Sequence, residues 1–294
     1  MPRAARRRLR ERSRRKRRSC RRKRRSSIAL KIHAYILCYN EEELIEFTLR
    51  HYSKFCSKIF LVDNMSDDRS IEIARSFDKV TILRWNSNGT INNEYLCYLK
   101  ANVYKWYSRK EGDRTTEVAD WIIACDMDEL LYHPSLERLL ERAEQVKDTV
   151  FRSIGFNMSA PALPNPGQDI TSSIRHRTRS TFYDKQALFH CDFDIRYTPG
   201  CHHDPQVEEV LAKQADYKLS DQGVLLLHYN NIGDRLLRTA QRNKNRLTRE
   251  DVAADISTHY LMPEQEIIQN SQMLAKHARE VIDKNGRVLV DLKH

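Results

Sequence analysis

From residue 32 onward, short apolar runs rich in β-branched residues alternate with longer stretches whose apolar positions recur at helical spacing. Ile32–Cys38, Lys58–Val62, Val80–Trp85 and Asp120–Cys125 read as strands. Between them, three helices are expected: Glu41–Phe55 with an acidic first turn after Asn40, about Asp68–Ser76, and Asn92–Lys110. Strand–helix–strand repetition at this length predicts an α/β fold, a mostly parallel open sheet flanked by helices with right-handed crossovers. A helix near Leu136–Gln145 and a strand near Thr149–Phe156 follow. Residues 158–172 hold three prolines and Gly167 and read as a long loop of the kind that covers an active site. The apolar strand Val224–Leu227 comes next, then helices over Ile232–Leu247 and roughly Glu264–Asp283, and a short last strand at Arg287–Val290.

In open sheets of this kind ligands collect beyond the carboxyl ends of the strands. Those ends read Tyr39-Asn40-Glu41, Asp63-Asn64-Met65-Ser66-Asp67, Trp85-Asn86 and Asp126-Met127-Asp128. All are polar and several are acidic, which folding alone does not demand. Asp126 and Asp128, one residue apart after the apolar run Trp121–Cys125, project to one face if the strand persists. Hard oxygen ligands in such a pair suit a divalent cation, with coordination positions left for a diphosphate. The competing reading is a helix N-cap ahead of Glu129-Leu130-Leu131.

Charge changes the picture less than its total suggests. The formal net charge is +11, but residues 1–27 hold sixteen of the 51 Lys and Arg and only one of the 40 acidic residues. The other 267 residues are therefore net negative, by four. We expect a disordered basic tail over 1–27, suited to nucleic acid or an anionic membrane surface, or serving only as a solvated extension. The main domain is expected over 28–230, with a C-terminal helical extension over 231–294 packed on it. No apolar stretch of 7–15 residues follows the basic start, and no run of 18 apolar residues occurs, so neither an export signal nor a membrane span is expected. The seven cysteines form no Cys-x-x-Cys pair and fit a reducing, cytoplasmic compartment. The tail would allow peripheral contact with the inner membrane face.

Taken together, Leu37-Cys38-Tyr39-Asn40-Glu41-Glu42, Asp63-Asn64-Met65-Ser66-Asp67-Asp68 and Asp126-Met127-Asp128-Glu129 resemble the family 2 glycosyltransferases of the GT-A fold, in the branch with DNxSxD and DxDE motifs. A looser similarity continues through Tyr183-Asp184-Lys185, Gly200-Cys201-His202-His203 and Leu227-His228-Tyr229. The resemblance implies a metal-dependent transferase moving a single sugar from a nucleotide-diphosphate donor, a UDP-sugar being expected, to an acceptor hydroxyl with inversion. The acceptor would be a glycan, a glycolipid or a protein. No Gln-x-x-Arg-Trp pattern of the processive synthases is present.

The same resemblance assigns roles. Tyr39, Asn40, Glu42, Asp63, Asn64 and Asp126 would contact the nucleotide; Asp126, Asp128 and His228 would hold the metal, with His202 or His203 as alternatives to His228. Asp204 is the first candidate for the catalytic base, ahead of Asp184, Asp192 and Asp194. Arg235, Arg238, Arg242 and Arg246 recur at spacings of three and four, as one helix face. That face reads as solvated in preference to a stripe beside the diphosphate. Two readings of other classes stand beside the transferase. One is a nucleic-acid-associated protein with a degenerate scaffold. The other is a nucleotidyltransferase, against which Cys38-Tyr39-Asn40-Glu41-Glu42 is no glycine-rich phosphate loop.

Overall fold

A computed structural model describes residues 30–146, 149–198, 223–283 and 285–289. The basic tail expected over 1–27 lies outside the described residues, as do His202, His203 and Asp204.

The first sheet is built on β1 (Ile32–Cys38), which pairs in parallel with β2 (Lys58–Asp63) on one side and β4 (Trp121–Asp126) on the other. β3 (Val80–Arg84) extends it in parallel beyond β2. A central parallel strand is covered on both faces, which is why β1 and β4 read as near-continuous apolar runs. Crossing helices α1 (Ile45–Ser53), α2 (Ser70–Ala74) and α3 (Asn93–Ser108) join these strands. Tyr35, Phe60, Val62, Leu99, Val103 and Tyr104 form one core between sheet and helix.

At Asp126 the chain leaves this sheet. After a turn at Met127-Asp128 it enters β5 (Glu129–Tyr132), which belongs to a second sheet. No helix starts there, so the N-cap reading of the aspartates fails. Helix α4 (Leu136–Val146) leads to β6 (Val150–Phe151) and β7 (Ile154–Ala160); α5 (Ile170–Ser173), β8 (His176–Arg179) and β9 (Leu188–His190) follow. The continuous strand expected over 149–156 is thus two strands. β6 joins β9 on the edge of the first sheet, whereas β7 lies in the second. The break comes at Ser153, whose N–H and hydroxyl both bond the Lys185 carbonyl.

The remaining described elements are β10 (Leu225–Ile232), α6 (Arg235–Lys244), α7 (Arg249–Ala253), α8 (Glu264–His277) and β11 (Arg279–Glu280). The first sheet runs β3-β2-β1-β4-β9-β6 and the second β11-β8-β7-β10-β5. β10 is twice the expected length. Its polar half, His228–Asn231, stays buried by bonding neighbours, as where Asn231 donates to the Ser159 hydroxyl at 2.8 Å. The last helix stops at His277, and among the described residues the expected final strand shows as a bridge between Ile282 and Val288. The expected α/β architecture, a mostly parallel sheet with flanking helices, is present. Among the described residues no helix is long and apolar enough to cross a membrane.

The regular part of α1 starts later than expected because residues 41–44 form a separate turn. Its N–H groups are satisfied from the next loop: Glu41 N donates to Ser70 Oγ at 2.8 Å and Glu42 N to Asp68 Oδ2 at 2.9 Å. Two turns further on, His51 is buried with Nε2 donating to the Leu131 carbonyl at 2.8 Å. Burial holds this imidazole down to about 4, only partly offset by that bond. The unfolded chain therefore takes up a proton first as pH falls from about 6.5 to 4, and about 3 kcal/mol of stability is lost across that window. Urea unfolding at pH 7 and pH 4.5 should show a smaller difference for His51→Gln than for the parent. An equal difference would contradict this account.

Candidate functional site

A cleft of about 410 Å³ opens at the carboxyl ends of the first sheet and continues onto the second. Its floor is the seam where the chain passes between sheets. There β7, β10 and β5 lie side by side, and their register sets Asn157, His228 and Glu129 in one row. The Tyr229 N–H donates to the Asp128 carbonyl at 2.7 Å, which fastens the aspartate turn to β10. His228 Nδ1 lies 3.0 Å from Asn157 Oδ1 and Nε2 lies 3.3 Å from Asp128 Oδ2. With Nδ1 donating to the amide oxygen, Nε2 is the nitrogen turned to the carboxylate. The Tyr183 ring stacks on the imidazole at a centroid distance of 4.0 Å and fixes its plane.

Asp126 and Asp128 both line the cleft, as does His228. Burial pushes the Asp128 carboxyl up, but His228, by charge and hydrogen bond, and Arg235 and Lys185 beyond it hold it well below the usual carboxylate range. For Asp126 the same burial is outweighed by Lys100 and Lys185. Lys100 Nζ lies 2.9 Å from Asp126 Oδ1, and Lys185 Nζ lies 3.7 Å from Oδ2 while bonding Glu129 Oε1 directly. Among the described residues no three His, Cys, Asp or Glu side chains stand at metal-holding spacing. The chemistry of the donor set nevertheless fits a hard divalent cation. Two carboxylates and an imidazole share one cleft, and the distal ring nitrogen is held by a polar partner, as metal-bound histidines require.

The side of the cleft toward the first sheet is lined by Tyr39, Asn64 and Trp85, at the ends of β1, β2 and β3. The Arg246 guanidinium sits 3.5 Å from the Tyr39 ring centroid and donates to the carbonyls of Gly89 and Thr90. Burial draws its pKa down to about 10, against a raising effect of Tyr39. Asn64 ties the loops after β2 and β3 together, donating to Ser87 Oγ at 2.9 Å and accepting from Ser87 N at 3.0 Å.

Three of the expected nucleotide residues fall outside the cleft lining. Asn40 pairs its amide with Asp67, donating at 2.6 Å and accepting at 3.0 Å, and Glu42 accepts from Arg69 N at 3.1 Å. Asp63 is wholly buried and accepts from Ser66 N at 3.2 Å. These side chains shape the loops that carry Tyr39 and Asn64. Glu41, next to the chosen Glu42, does line the cleft and bonds both Arg235 and Arg242.

The arginine face, which runs past the end of α6 to Arg246, therefore points inward, and this overturns the solvated reading for most of it. Arg235 is buried, and Arg242 and Arg246 line the cleft; Arg238 alone of the four is largely exposed. Of the alternative bases, Asp184 accepts from Gly155 N and pairs with Arg179, while Asp194 pairs with Arg109 and Lys105. Asp192 is exposed, and none of the three lines the cleft. Sequence reasoning missed Lys100 and Lys185. Lys100 lies among the apolar positions of α3, a signal in itself, and Lys185 ends the Tyr183-Asp184-Lys185 segment.

No family model and no curated protein matches the chain. Among solved structures it is similar to S. aureus TarS, at 12% identity and a TM-score of 0.38 over 68% of this chain and 35% of that one. The chain thus spans about a third of that protein. Against S. aureus TarS 1-349 the identity is 13% and the TM-score 0.40, over 82% of this chain and 69% of that one. It is also similar to glucosyl-3-phosphoglycerate synthase from Mycobacterium tuberculosis, in complex with Mn2+, uridine-diphosphate and phosphoglyceric acid. There the identity is 14% and the TM-score 0.27, over 43% of each chain.

Proposed function

We propose that this protein is a GT-A glycosyltransferase of the family 2 type that moves one sugar from a nucleotide-diphosphate donor, a UDP-sugar by preference, to an acceptor hydroxyl. The observation that carries the reading is the row Asn157–His228–Glu129 meeting the Asp126-Met127-Asp128 turn at the cleft floor. Such a convergence of carboxylates, imidazole and buried cations beside an aromatic ring suits a ligand with a diphosphate at one end and a base at the other.

In this reading Tyr39 and Arg246 receive the base and ribose, and Asn64 holds the loop against which they sit. Mn2+ or Mg2+ held by Asp126, Asp128 and His228 would supply charge neutralisation for the departing diphosphate. The acceptor oxygen bonds the anomeric carbon from the face opposite the diphosphate, the old C–O bond gives its electron pair to the diphosphate, and the hydroxyl proton passes to a carboxylate base. Asp204, in the Gly200–Asp204 segment, is the proposed base, because Asp184 and Asp194 are engaged and Asp192 lies off the cleft. The acceptor is a glycan, glycolipid or protein. A cytoplasmic enzyme with its basic tail on an anionic membrane face is consistent with this, since each Lys or Arg near such a surface contributes about 1 kcal/mol.

Product analysis tests the reaction class. Incubation with nucleotide sugars and Mn2+ should release nucleoside diphosphate, whereas a nucleotidyltransferase would release inorganic diphosphate from a nucleoside triphosphate plus sugar phosphate. The second product without the first would sink the proposal.

A further inference from the structure

Two buried lysines stand at the cleft floor. Lys100 lies on α3 between Leu99 and Ala101, both buried, and is itself only 3% exposed. Lys185 is 5% exposed and follows the turn that carries Tyr183. Burying an ammonium costs several kcal/mol per ion before pairing, and well-packed apolar residues at such places are often equally stable or more so. Both lysines converge on Asp126, and Lys185 also holds Glu129. The arrangement therefore keeps two positive charges beside three carboxylates, Asp126, Asp128 and Glu129, in an open cleft.

Consider each ligand of the proposed reaction in turn. A divalent cation arriving alone finds Asp126 already neutralised, so it must compete with ammonium groups for that carboxylate. A nucleoside diphosphate arriving alone meets carboxylates, while the lysines that would attract it are engaged with them. When both arrive, the positive charge displaced from Asp126 has a new anion to take. The cation then takes the aspartates and the ammonium groups turn to the phosphate oxygens. A lysine suits this exchange, being a point charge on a flexible four-carbon stem.

We propose that Lys100 and Lys185 form an exchangeable counter-ion pair, bound to the carboxylates in the empty cleft and handed to the donor's diphosphate when the divalent cation binds. The inference rests on the proposed donor site. It makes the cation and the nucleotide mutually dependent, each tightening the other by the same factor, as linkage requires.

Calorimetry tests it with four probes, Mn2+ alone, nucleoside diphosphate in chelator, and each in the presence of the other. The nucleotide is whichever of UDP, GDP, CDP and ADP binds most tightly with Mn2+. In the parent protein each ligand should tighten the other by about tenfold or more. In Lys100→Met and Lys185→Met, Mn2+ alone should bind more tightly, the nucleotide with Mn2+ more weakly, and the coupling should shrink. Affinities that fall together, or that do not change, would overturn the exchange. Should the lysine variants fail to fold, Asp126→Asn gives the complementary measurement. It removes the carboxylate charge that both ammonium groups share, so the nucleotide should bind more tightly in chelator than it does to the parent; equal or weaker binding overturns the proposal. A folded parent that binds none of the four nucleotides with Mn2+ would instead defeat the donor site itself, and the exchange with it.

Discussion

Asp128→Asn is expected to lower kcat/KM for sugar transfer by about 10²–10³-fold while leaving the protein folded, the scale seen when one preorganised charge-stabilising group is removed from an active site. Asp128 sits at the turn between the two sheets, with its carbonyl tied to Tyr229 and its carboxylate 3.3 Å from His228 Nε2. The environment keeps it ionised far below neutrality, so it offers a full negative charge across the working pH range. The amide keeps the shape and removes the charge. Steady-state kinetics beside a thermal melt would separate the two. A loss of less than tenfold in a folded variant would show that the carboxylate is not part of the reacting site.

The largest stability effect is expected at Glu41. Its two carboxylate oxygens bond Arg235 and Arg242, joining the end of β1 to α6 across nearly two hundred residues of sequence. Arg235 is buried, and the Nε atoms of both arginines already lack a partner. Glu41→Ala leaves the buried Arg235 guanidinium without its carboxylate and takes one ion pair from the part-buried Arg242, which costs about 3–5 kcal/mol. Arg238→Ala is the comparison on the same helix. Its pairs with Glu43 and Asp234 are solvent-exposed, and such pairs contribute about 0–1 kcal/mol. Urea unfolding of both variants checks the ranking; equal losses would contradict the burial argument.

Much of the first sheet was legible because parallel central strands are buried on both faces and leave unbroken apolar runs. The start of α3 was legible too, since Asn92 is a residue type that caps, and its side chain accepts from Tyr95 N at 2.9 Å. The second sheet was harder. β10 ends in His228, Tyr229, Asn230 and Asn231, polar or half-polar residues that read as a strand's end. Of these, His228 and Asn231 find buried partners in Asn157 and Ser159 of β7.

The cleft was readable in outline and less so in detail. The motif ends after β1, β2 and β4 do meet at one cleft. Which residue of a motif faces it depends on backbone turns that sequence does not display. Asn40 adopts a positive φ of 52°, and it is Glu41, not Glu42, that lines the cleft. The spacing of Arg235, Arg238, Arg242 and Arg246 suggested a common helix face, although α6 ends at Lys244, two residues before Arg246. It carried no information on whether that face met solvent or a carboxylate far away in sequence.

The most direct test of the central claim is a calorimetric titration of a nucleotide-sugar panel, with Mn2+ and with chelator, on the parent protein and on Asp126→Ala/Asp128→Ala. Metal-dependent binding of one donor that disappears in the folded double variant is the predicted result. Absence of binding by every donor to the folded parent, or metal-dependent binding that survives in the double variant, would contradict the assignment of this cleft as a sugar-nucleotide site.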